Sequence, residues 1–157
     1  MNTATRTHSE SIMVGAAPEA LYAMLSDVTR TGEWSPVCKE CWWDEGDGPR
    51  VGAWFTGRNV LPDRTWETRS QVVVAEPGRE FAWLVGKGYV RWGYTFDAGG
   101  EPGTTILTET WEFTGAGLEF FAERFGADAP SQIEERTRQA LEGIPKTLVA
   151  IKAAAEA

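Results

Sequence analysis

A single carboxylate has the strongest claim to chemistry in this sequence. Glu109 lies in the segment 103–114, whose Thr, Ile, Trp and Phe residues favour a β-strand. Because alternate side chains of a strand share a face, Glu109 points the same way as Leu107 and Trp111. A carboxyl group on an apolar face is costly to ionise, so we expect its pKa to be raised. Such a group suits a general acid or base, or a hydrogen-bonding anchor for a ligand hydroxyl or amine.

A structural salt bridge is the competing interpretation of Glu109, with Arg69 or Arg91 as its partner. The sequence supports the two interpretations equally. Arg69 shares a predicted strand face with Glu67 and Gln71, so we expect its side chain to face solvent.

Tyr94 and Asn59 are the other polar side chains that strand parity places on the inward face, where each would position a ligand oxygen. Large aromatic residues share these inward faces, and together they exceed the surface that one helix can cover. This excess favours a partly open apolar cavity, although any one aromatic residue alone is more typical of a core. If the protein is an enzyme, Glu109 and Tyr94 are its predicted catalytic residues. The predicted ligand-binding residues are Trp34, Phe55, Asn59, Phe81, Trp83, Trp92, Tyr94, Leu107, Glu109, Trp111, Phe120, Phe121, Phe125, Leu141 and Ile144.

Several other kinds of site lack support in the sequence. His8 is the only histidine, so a Ser-His or Cys-His nucleophilic system is not expected. The glycines form neither a Walker A loop nor a dinucleotide-binding pattern. Cys38 and Cys41 have no second cysteine pair, and on a regular strand they would point to opposite faces, which disfavours both a zinc site and a disulfide. We therefore predict no metal and no cofactor.

The overall composition is typical of one globular domain, and we predict a single domain over residues 1–157, with residues 1–5 disordered. The net charge of −8 argues against binding to nucleic acid or to an anionic membrane surface. The sequence has no run of the roughly 20 apolar residues that a membrane span needs. The polar N-terminus lacks an apolar signal region, so a cytoplasmic location is expected. Eight tryptophans are more than stability alone demands.

The elements that must position these residues follow from hydrophobic periodicity and turn signals. A strand ends at Val14, a helix opens at Pro18, and residues 29–34 form a second short helix. Six further strands are predicted at 37–44, 51–59, 65–75, 80–86, 89–97 and 104–114. The short turns between these strands predict antiparallel hairpins.

The C-terminal part of the chain has a helical pattern. Residues 115–129 are ambiguous between a short helix and a lid loop. Pro145 removes a backbone donor and is expected to interrupt and kink the last helix. That long helix starts at Pro130, and its predicted apolar face consists of Ile133, Thr137, Leu141, Ile144, Leu148 and Ile151. A seven-stranded antiparallel sheet can bury this face only by curving around the helix, which predicts an α+β helix-grip fold with a cavity between sheet and helix.

A series of short motifs runs through the chain. They are Glu33-Trp34-Ser35-Pro36, Phe55-x-Gly57-Arg58-Asn59, Trp66, Glu76-Pro77-Gly78-Arg79-x-Phe81-Ala82-Trp83, Arg91-Trp92-x-Tyr94, Thr108-Glu109-Thr110-Trp111-Glu112, Thr147-Leu148 and Ile151-Lys152. Their order and spacing resemble the START-related helix-grip superfamily, and within it the small bacterial polyketide cyclase/dehydrase and lipid-transport-like proteins. The likeness covers residues 7–156. It implies the fold and a shared cavity but no particular reaction, because such members share no single catalytic set.

Three functions remain open from the sequence. The first is binding of an apolar or aromatic small molecule, such as a lipid, polyketide or isoprenoid. The second is cofactor-independent catalysis of the cyclase/aromatase or dehydratase type, in which Glu109 and Tyr94 would move protons. The third is a protein-interaction module that uses Trp54 and one of Trp42 and Trp43, with a homodimer as one form of partner.

Overall fold

The alternating apolar pattern produces a sheet of seven antiparallel strands in the computed structural model, which describes residues 6–157. The strands are β1 (Arg6–Val14), β2 (Cys38–Trp43), β3 (Trp54–Leu61), β4 (Arg64–Glu76), β5 (Glu80–Val85), β6 (Val90–Ala98) and β7 (Thr105–Phe113). They lie in the order β1-β7-β6-β5-β4-β3-β2, so β2 to β7 pair consecutively and β1 joins β7. The predicted helix-grip architecture is confirmed. The prediction for residues 1–5 lies outside the described part of the chain.

Three α-helices and two 3₁₀ helices complete the described residues. They are α1 (Pro18–Leu25), a 3₁₀ helix at Val28–Glu33, α2 (Gly115–Phe125), a 3₁₀ turn at Gly126–Asp128 and α3 (Ala129–Glu156). Side-chain caps begin two of them: Asp27 accepts from the amide of Thr29 at 3.1 Å, and Thr114 accepts from that of Gly117 at 3.0 Å. The second short helix is therefore a 3₁₀ helix, and the ambiguous segment 115–129 is helical.

The long helix α3 runs through Pro145 without a break, so the predicted interruption is wrong. A proline lacks the amide that would bond the carbonyl four positions earlier, here that of Leu141. Leu141 lies on the solvent side of α3, with 41% of its surface exposed. Within residues 6–157, no helix combines the length and the apolar character that a membrane crossing requires.

A packed core fills one end of the space between the sheet and α3, which we call the closed end. The C-terminal half of α3 contributes Leu148 and Ile151, and α1 contributes Leu21 and Tyr22. The ring of Tyr22 packs edge-on against that of Phe96 of β6, with centroids 5.6 Å apart. All five side chains are buried, and close packing of this kind is the main source of the stability of a fold.

Hydrogen bonds join the last turns of α3 to the end of β1. Lys152 donates from Nζ to the carbonyl oxygen of Met13 at 2.8 Å. The amide of Gly15 donates to Oε2 of Glu156 at 2.7 Å. These bonds fix the C-terminal half of α3 over the closed end.

The other end of the same space contains a cavity, and we call it the open end. The helix α2 packs against the sheet at this end. Tyr89, in the β5–β6 hairpin, stacks on Phe120 of α2 with ring centroids 4.1 Å apart. A Cβ atom at Gly117 would lie 2.1 Å from the carbonyl oxygen of Tyr89, so this close approach requires glycine. Phe121 packs edge-on against Phe113 of β7 at 5.0 Å. Aromatic contacts therefore hold α2 against the sheet.

A β-bulge between Cys38 and Glu40 changes the orientation of the two cysteines of β2. The Sγ atoms of Cys38 and Cys41 lie 3.7 Å apart, so the prediction that they point to opposite faces is wrong. The extra residue of the bulge shifts the alternation between them by one position. Both thiols are free.

The paired tryptophans of β2 differ in their surroundings. Trp43 packs against Phe55 at 5.5 Å and is the inward member of the pair with Trp42. On the outer face, the guanidinium group of Arg69 lies 4.3 Å from the ring centroid of Trp54. This contact covers part of the apolar surface that Trp54 would otherwise offer to a protein partner.

Candidate functional site

A cavity of about 750 Å³ lies between the sheet and the N-terminal half of α3, at the open end. This volume falls within the range of about 300–1,000 Å³ that small-molecule sites occupy. The lining includes the exposed residues Arg64, Glu67 and Arg124, so the cavity reaches solvent between the start of β4 and the end of α2.

Strand alternation supplies the wall of the cavity on the sheet side. Along β7, buried and less buried positions alternate, which places Glu109 and Trp111 inward as predicted. Cross-strand pairing sets Tyr94 opposite Glu109 and Trp92 opposite Trp111. The predicted ligand-binding residues that line the cavity are Trp34, Phe55, Asn59, Phe81, Trp83, Trp92, Tyr94, Glu109, Trp111, Phe120, Phe121, Phe125 and Ile144. Their contact with a ligand stays a prediction.

The aromatic rings of this wall form a continuous layer across β3, β5 and β6. The ring of Trp83 lies 5.9 Å from that of Phe55, 5.7 Å from that of Phe81 and 5.9 Å from that of Tyr94. Edge-on and tilted arrangements of this kind are favoured for aromatic pairs. The rings therefore pack against one another along the sheet side of the cavity.

Two of the predicted wall residues lie elsewhere, and both predictions are wrong. Leu107 is fully buried, but it pairs across the sheet with Phe96, whose ring contacts Tyr22 of α1. Leu107 therefore belongs to the packed core of the closed end. Leu141 is 41% exposed because the inward face of α3 is turned away from it.

The face of α3 over the cavity consists of small and polar residues that the sequence analysis did not identify. They are Gln132, Arg136, Gln139, Ala140 and Gly143. Four of them, Gln132, Arg136, Ala140 and Gly143, each come one residue before a member of the predicted apolar face of α3. Their i, i+4, i+7 spacing is a helical signal that could have revealed this face. The hydrophobic criterion missed it because a helix face over an unfilled space need not be apolar.

Sequence reasoning also missed lining residues in elements that it had located. Strand parity predicts that Phe113 shares the inward face with Leu107, Glu109 and Trp111, but Phe113 is not among the predicted ligand-binding residues. Trp66, Tyr89, Arg64 and Arg124 line the cavity as well. The distance of these four side chains from the cavity depends on how the hairpins and α2 pack. The alternation of side chains along a strand does not determine this packing.

Glu109 is the buried carboxyl group of the wall, with 4% of its surface exposed. Within residues 6–157, its Oε1 atom has no hydrogen-bond partner. Burial, and secondly the charge of Glu10 on the paired strand β1, raises the pKa of Glu109 to about 8. At neutral pH the group is therefore mostly protonated, and it can donate or accept a hydrogen bond inside the cavity.

The competing salt-bridge interpretation of Glu109 is wrong. Nε of Arg69 lies 2.7 Å from Oδ2 of Asp44, and Arg69 faces solvent as predicted. Arg91 pairs with Glu80 at 3.1 Å. Both arginines have the strand parity opposite to that of the cavity wall, so neither can reach the inward carboxyl.

Tyr94 and Asn59 are the other predicted polar groups of the wall. Burial, and then the charge of Glu109, raises the pKa of Tyr94, so the phenol remains a neutral hydrogen-bond donor. The amide nitrogen of Asn59 donates to Oγ1 of Thr68 at 3.2 Å and to the carbonyl oxygen of Trp66 at 3.4 Å. Asn59 is thus held in place by β4, whereas Oε1 of Glu109 has no such partner within residues 6–157.

The chemistry that the cavity offers follows from these groups. Aromatic rings can surround an apolar molecule, and a neutral carboxyl beside a phenol can orient one polar group on it or exchange a proton with it. Within residues 6–157, no cluster of three or more His, Cys, Asp and Glu residues has the arrangement of a metal site.

The fold is that of a START-related helix-grip protein, as the sequence motifs predicted. The chain belongs to the polyketide cyclase/dehydrase and lipid transport family, whose model matches residues 5–149. A search of curated proteins finds no match.

Solved structures show the same architecture. A Polyketide_cyc-like protein from Corynebacterium glutamicum, solved by solution NMR, is 53% identical over 98% of this chain and 93% of that chain, with a TM-score of 0.71. A START superfamily protein from Mycobacterium smegmatis is 15% identical over 96% of this chain and 97% of that chain, with a TM-score of 0.66. The di-domain ARO/CYC protein StfQ of the steffimycin biosynthetic pathway is 18% identical, with a TM-score of 0.69, over 98% of this chain and 51% of StfQ. The last two likenesses establish the fold alone.

Proposed function

We propose that this protein binds an apolar or aromatic small molecule, of the lipid, polyketide or isoprenoid type, inside the cavity. The observation that carries the proposal is a cavity of about 750 Å³ with an aromatic wall and a buried carboxyl atom that has no partner within residues 6–157. Protein interiors are normally close-packed, so a chain under selection for stability alone would be expected to fill this space. The description of the family, which names cyclases, dehydrases and lipid transport, agrees with a small apolar ligand.

The unpaired atom of Glu109 supports a polar anchor within the apolar wall. A buried polar atom without a partner costs about 1–3 kcal/mol. A ligand hydroxyl, carbonyl or amine next to Glu109 and Tyr94 would remove this cost. The rings would supply most of the affinity, and a ligand of about 20 heavy atoms at about −0.3 kcal/mol per atom would bind with a Kd of tens of micromolar.

A fluorescence titration with apolar probes tests the proposal. Trp83, Trp92 and Trp111 lie in the wall, so a bound molecule should quench their emission in a saturable way. The panel should include fatty alcohols, polycyclic aromatics and isoprenoids. Native mass spectrometry of the same mixtures should show one ligand per chain.

A variant that fills the cavity provides the matching control. A Cβ atom at Gly143 would meet only Cγ of Pro36, at 3.8 Å, so Gly143→Leu should fold normally and occupy part of the cavity. We expect its affinity for the probes to fall about tenfold, the equivalent of about 1.4 kcal/mol. Val149→Leu adds volume to the same helix on its exposed side and should bind as the wild type does. If no probe gives a saturable response with the folded wild-type protein, the cavity proposal is wrong.

Catalysis is the second candidate function, and the position of Glu109 favours it. A carboxyl group with a pKa of about 8, opposite a phenol in an apolar cavity, can donate a proton and take it back near neutral pH. In this alternative the cavity folds a reactive polyketone and promotes its cyclisation or dehydration without a cofactor. Glu109→Gln separates the two functions. Loss of turnover with binding retained supports catalysis, whereas a change of affinity alone supports binding.

The single domain, the cytoplasmic location and a homodimer stay predictions from the sequence. Of the three functional hypotheses the interaction module has the least support, because Arg69 lies over the ring of Trp54. A concentration-dependent oligomer that is lost in Trp54→Ala, measured by analytical ultracentrifugation, would revive it.

A further inference from the structure

We propose that the ligand is an amphiphilic anion, whose acidic head group binds Arg64, Arg124 and Arg136 at the open end while its apolar body enters the cavity. The head group is a carboxylate or a phosphate, since the planar guanidinium group matches the geometry of both. This inference deepens the proposed function and rests on it.

The three arginines come from separate elements and meet at one rim. Arg64 is the first residue of β4, Arg124 lies in the last turn of α2, and Arg136 lies in the first half of α3. All three line the cavity, and Arg64 and Arg124 are among its exposed lining residues. A head group at this rim could therefore be reached from solvent while its apolar tail remained inside.

These arginines differ from most others in the protein in their lack of a carboxylate partner. Within residues 6–157, none of the three takes part in a salt bridge. The arginines that do are Arg6, Arg30, Arg50, Arg58, Arg69, Arg91 and Arg138. The chain has 23 acidic and 15 basic residues, so the unpaired rim does not result from a shortage of carboxylates.

Each of the three guanidinium groups lies over an aromatic ring that belongs to the cavity lining. The pairs, with the distance from Cζ to the ring centroid, are Arg64–Trp66 (4.2 Å), Arg124–Phe125 (5.7 Å) and Arg136–Phe121 (5.7 Å). Phe121 and Phe125 are in turn 5.1 Å apart. Stacking on a ring positions a guanidinium group and leaves the N–H groups at its edge free to donate. The guanidinium N–H groups of the three arginines therefore lie next to the aromatic part of the cavity lining.

Like charges repel one another at this rim. Burial, and secondly the positive charge of Arg64, lowers the pKa of Arg136, while Glu135 acts in the opposite direction. Glu135 is itself held by Arg138, with 2.6 Å between Oε1 and Nη2. An anionic group between Arg64 and Arg136 would relieve their repulsion.

The acidic residues of the lining do not cancel this positive charge. Glu67 is exposed at the rim, and its Oε2 atom lies 3.4 Å from Nη2 of Arg58 on the outer side. Glu109 is buried and mostly protonated at neutral pH, since its pKa is about 8. Three guanidinium groups therefore face a single exposed carboxylate in the lining.

The positive rim has the opposite sign to the molecule as a whole. A net charge of −8 repels an anion and attracts a cation at long range. A preference for anions over cations would therefore have to arise from the local arginines. Because the net charge and the rim have opposite signs, a comparison of anionic, neutral and cationic head groups tests the role of the rim directly.

Four probes with the same apolar tail test the inference: dodecanoate, dodecyl phosphate, dodecanol and dodecylammonium. Affinities are measured by titration at neutral pH and low salt, below the micelle concentration. We expect both anions to bind about tenfold more tightly than dodecanol, because charge-assisted hydrogen bonds are stronger than neutral ones. Dodecylammonium should bind more weakly than dodecanol. 1-Pyrenebutyrate and 1-pyrenebutanol repeat the comparison with an aromatic body.

Substitutions in α3 assign the preference to the rim. Arg136→Gln should weaken the binding of the anions about tenfold and leave that of dodecanol unchanged. Arg136→Lys keeps the charge and should retain part of the preference. Arg138→Gln is the matched control, because Arg138 pairs with Glu135 and Glu142 outside the cavity, and it should bind every probe as the wild type does.

The outcomes distinguish this inference from the proposed function. If none of the probes binds, including the neutral ones, the proposed function fails. If dodecanol binds as tightly as the anions, or if Arg138→Gln weakens anion binding as much as Arg136→Gln, the cavity stays supported and the anion inference is overturned. A preference for one anion alone supports the inference and identifies the head group as a carboxylate or a phosphate.

Discussion

The closed end and the open end are built from the same sheet and the same helix, yet one is filled and the other is hollow. At the closed end, Leu148 and Ile151 of α3 lie in one buried core with Leu107 and Tyr22. At the open end, the sheet presents large aromatic side chains such as Trp83, Trp92 and Trp111, and a cavity of about 750 Å³ remains beside them. There the residues of α3 that precede Ile144 in the cavity lining are small or polar, namely Gln132, Arg136, Gln139, Ala140 and Gly143.

The difference shows that the helix, and not the sheet, determines where this fold is hollow. The strands alternate inward and outward residues along their whole length, so the sheet offers apolar surface at both ends. Within α3 the inward face changes from small and polar to large and apolar at Ile144, which is buried and still lines the cavity. The C-terminal half of the helix thus contributes to the packed core, and the N-terminal half lies over the cavity.

The largest effect that this comparison predicts comes from a shortened side chain at the closed end. Ile151 is fully buried, and Ile151→Ala should lower the free energy of unfolding by about 2–5 kcal/mol, because the packed surroundings cannot close the gap. Leu141→Ala is the control on the exposed face of the same helix and should change it by about 0.5 kcal/mol or less. Urea denaturation measures both. Similar losses in the two variants would contradict the division of α3 into inward and outward faces.

An effect that is smaller per pH unit is predicted for the carboxyl group of the open end. Glu109 has an ordinary pKa of 4.5 in the unfolded chain and a pKa of about 8 in the folded protein. Between these values the folded state holds the extra proton, so the free energy of unfolding should fall by about 1.4 kcal/mol per pH unit as the pH rises. Glu109→Gln should lack this decrease and be more stable than the wild type at pH 8.

Urea denaturation of both proteins across this pH range measures the difference in slope. Glu112→Gln, on the outer face of the same strand, should retain the slope of the wild type. If Glu109→Gln and the wild type have equal slopes, Glu109 is ionised in the folded protein and the open end is more polar than proposed.

The smallest effect comes from adding one methyl group at the open end. Gly143→Ala places a Cβ atom at an ordinary contact distance, 3.8 Å from Cγ of Pro36, and no closer contact arises outside the neighbouring part of the same helix. The free energy of unfolding should rise by about 0.5–1 kcal/mol, because alanine loses less backbone entropy than glycine in a helix. Thermal denaturation gives the sign of the change. A loss of stability would show that Gly143 packs tightly and that the open end is not hollow at this point.

Much of the fold and of the wall could be predicted because the signals are local. The side-chain alternation of a strand depends only on residue number, so Glu109, Trp111 and Tyr94 were placed inward correctly even though the predicted strand ends differ from the observed ones by a few residues. The errors arose where a neighbouring element changes the local rule. The bulge between Cys38 and Glu40 places the side chains of Cys38 and Cys41 on the same side of the sheet. The packing of α3 turns Leu141 toward solvent.

The sequence by itself determined the order of the elements and the inward face of each strand, since both depend on repeats of two residues and on turn residues close by in the chain. Only the tertiary structure decided that Glu109 forms no salt bridge within residues 6–157, because Arg69 and Arg91 bond acidic residues on the outer face. It also decided that Arg64 and Arg136 share a rim. Arg64 and Arg136 are far apart in the chain, and their proximity depends on how α3 packs on the sheet.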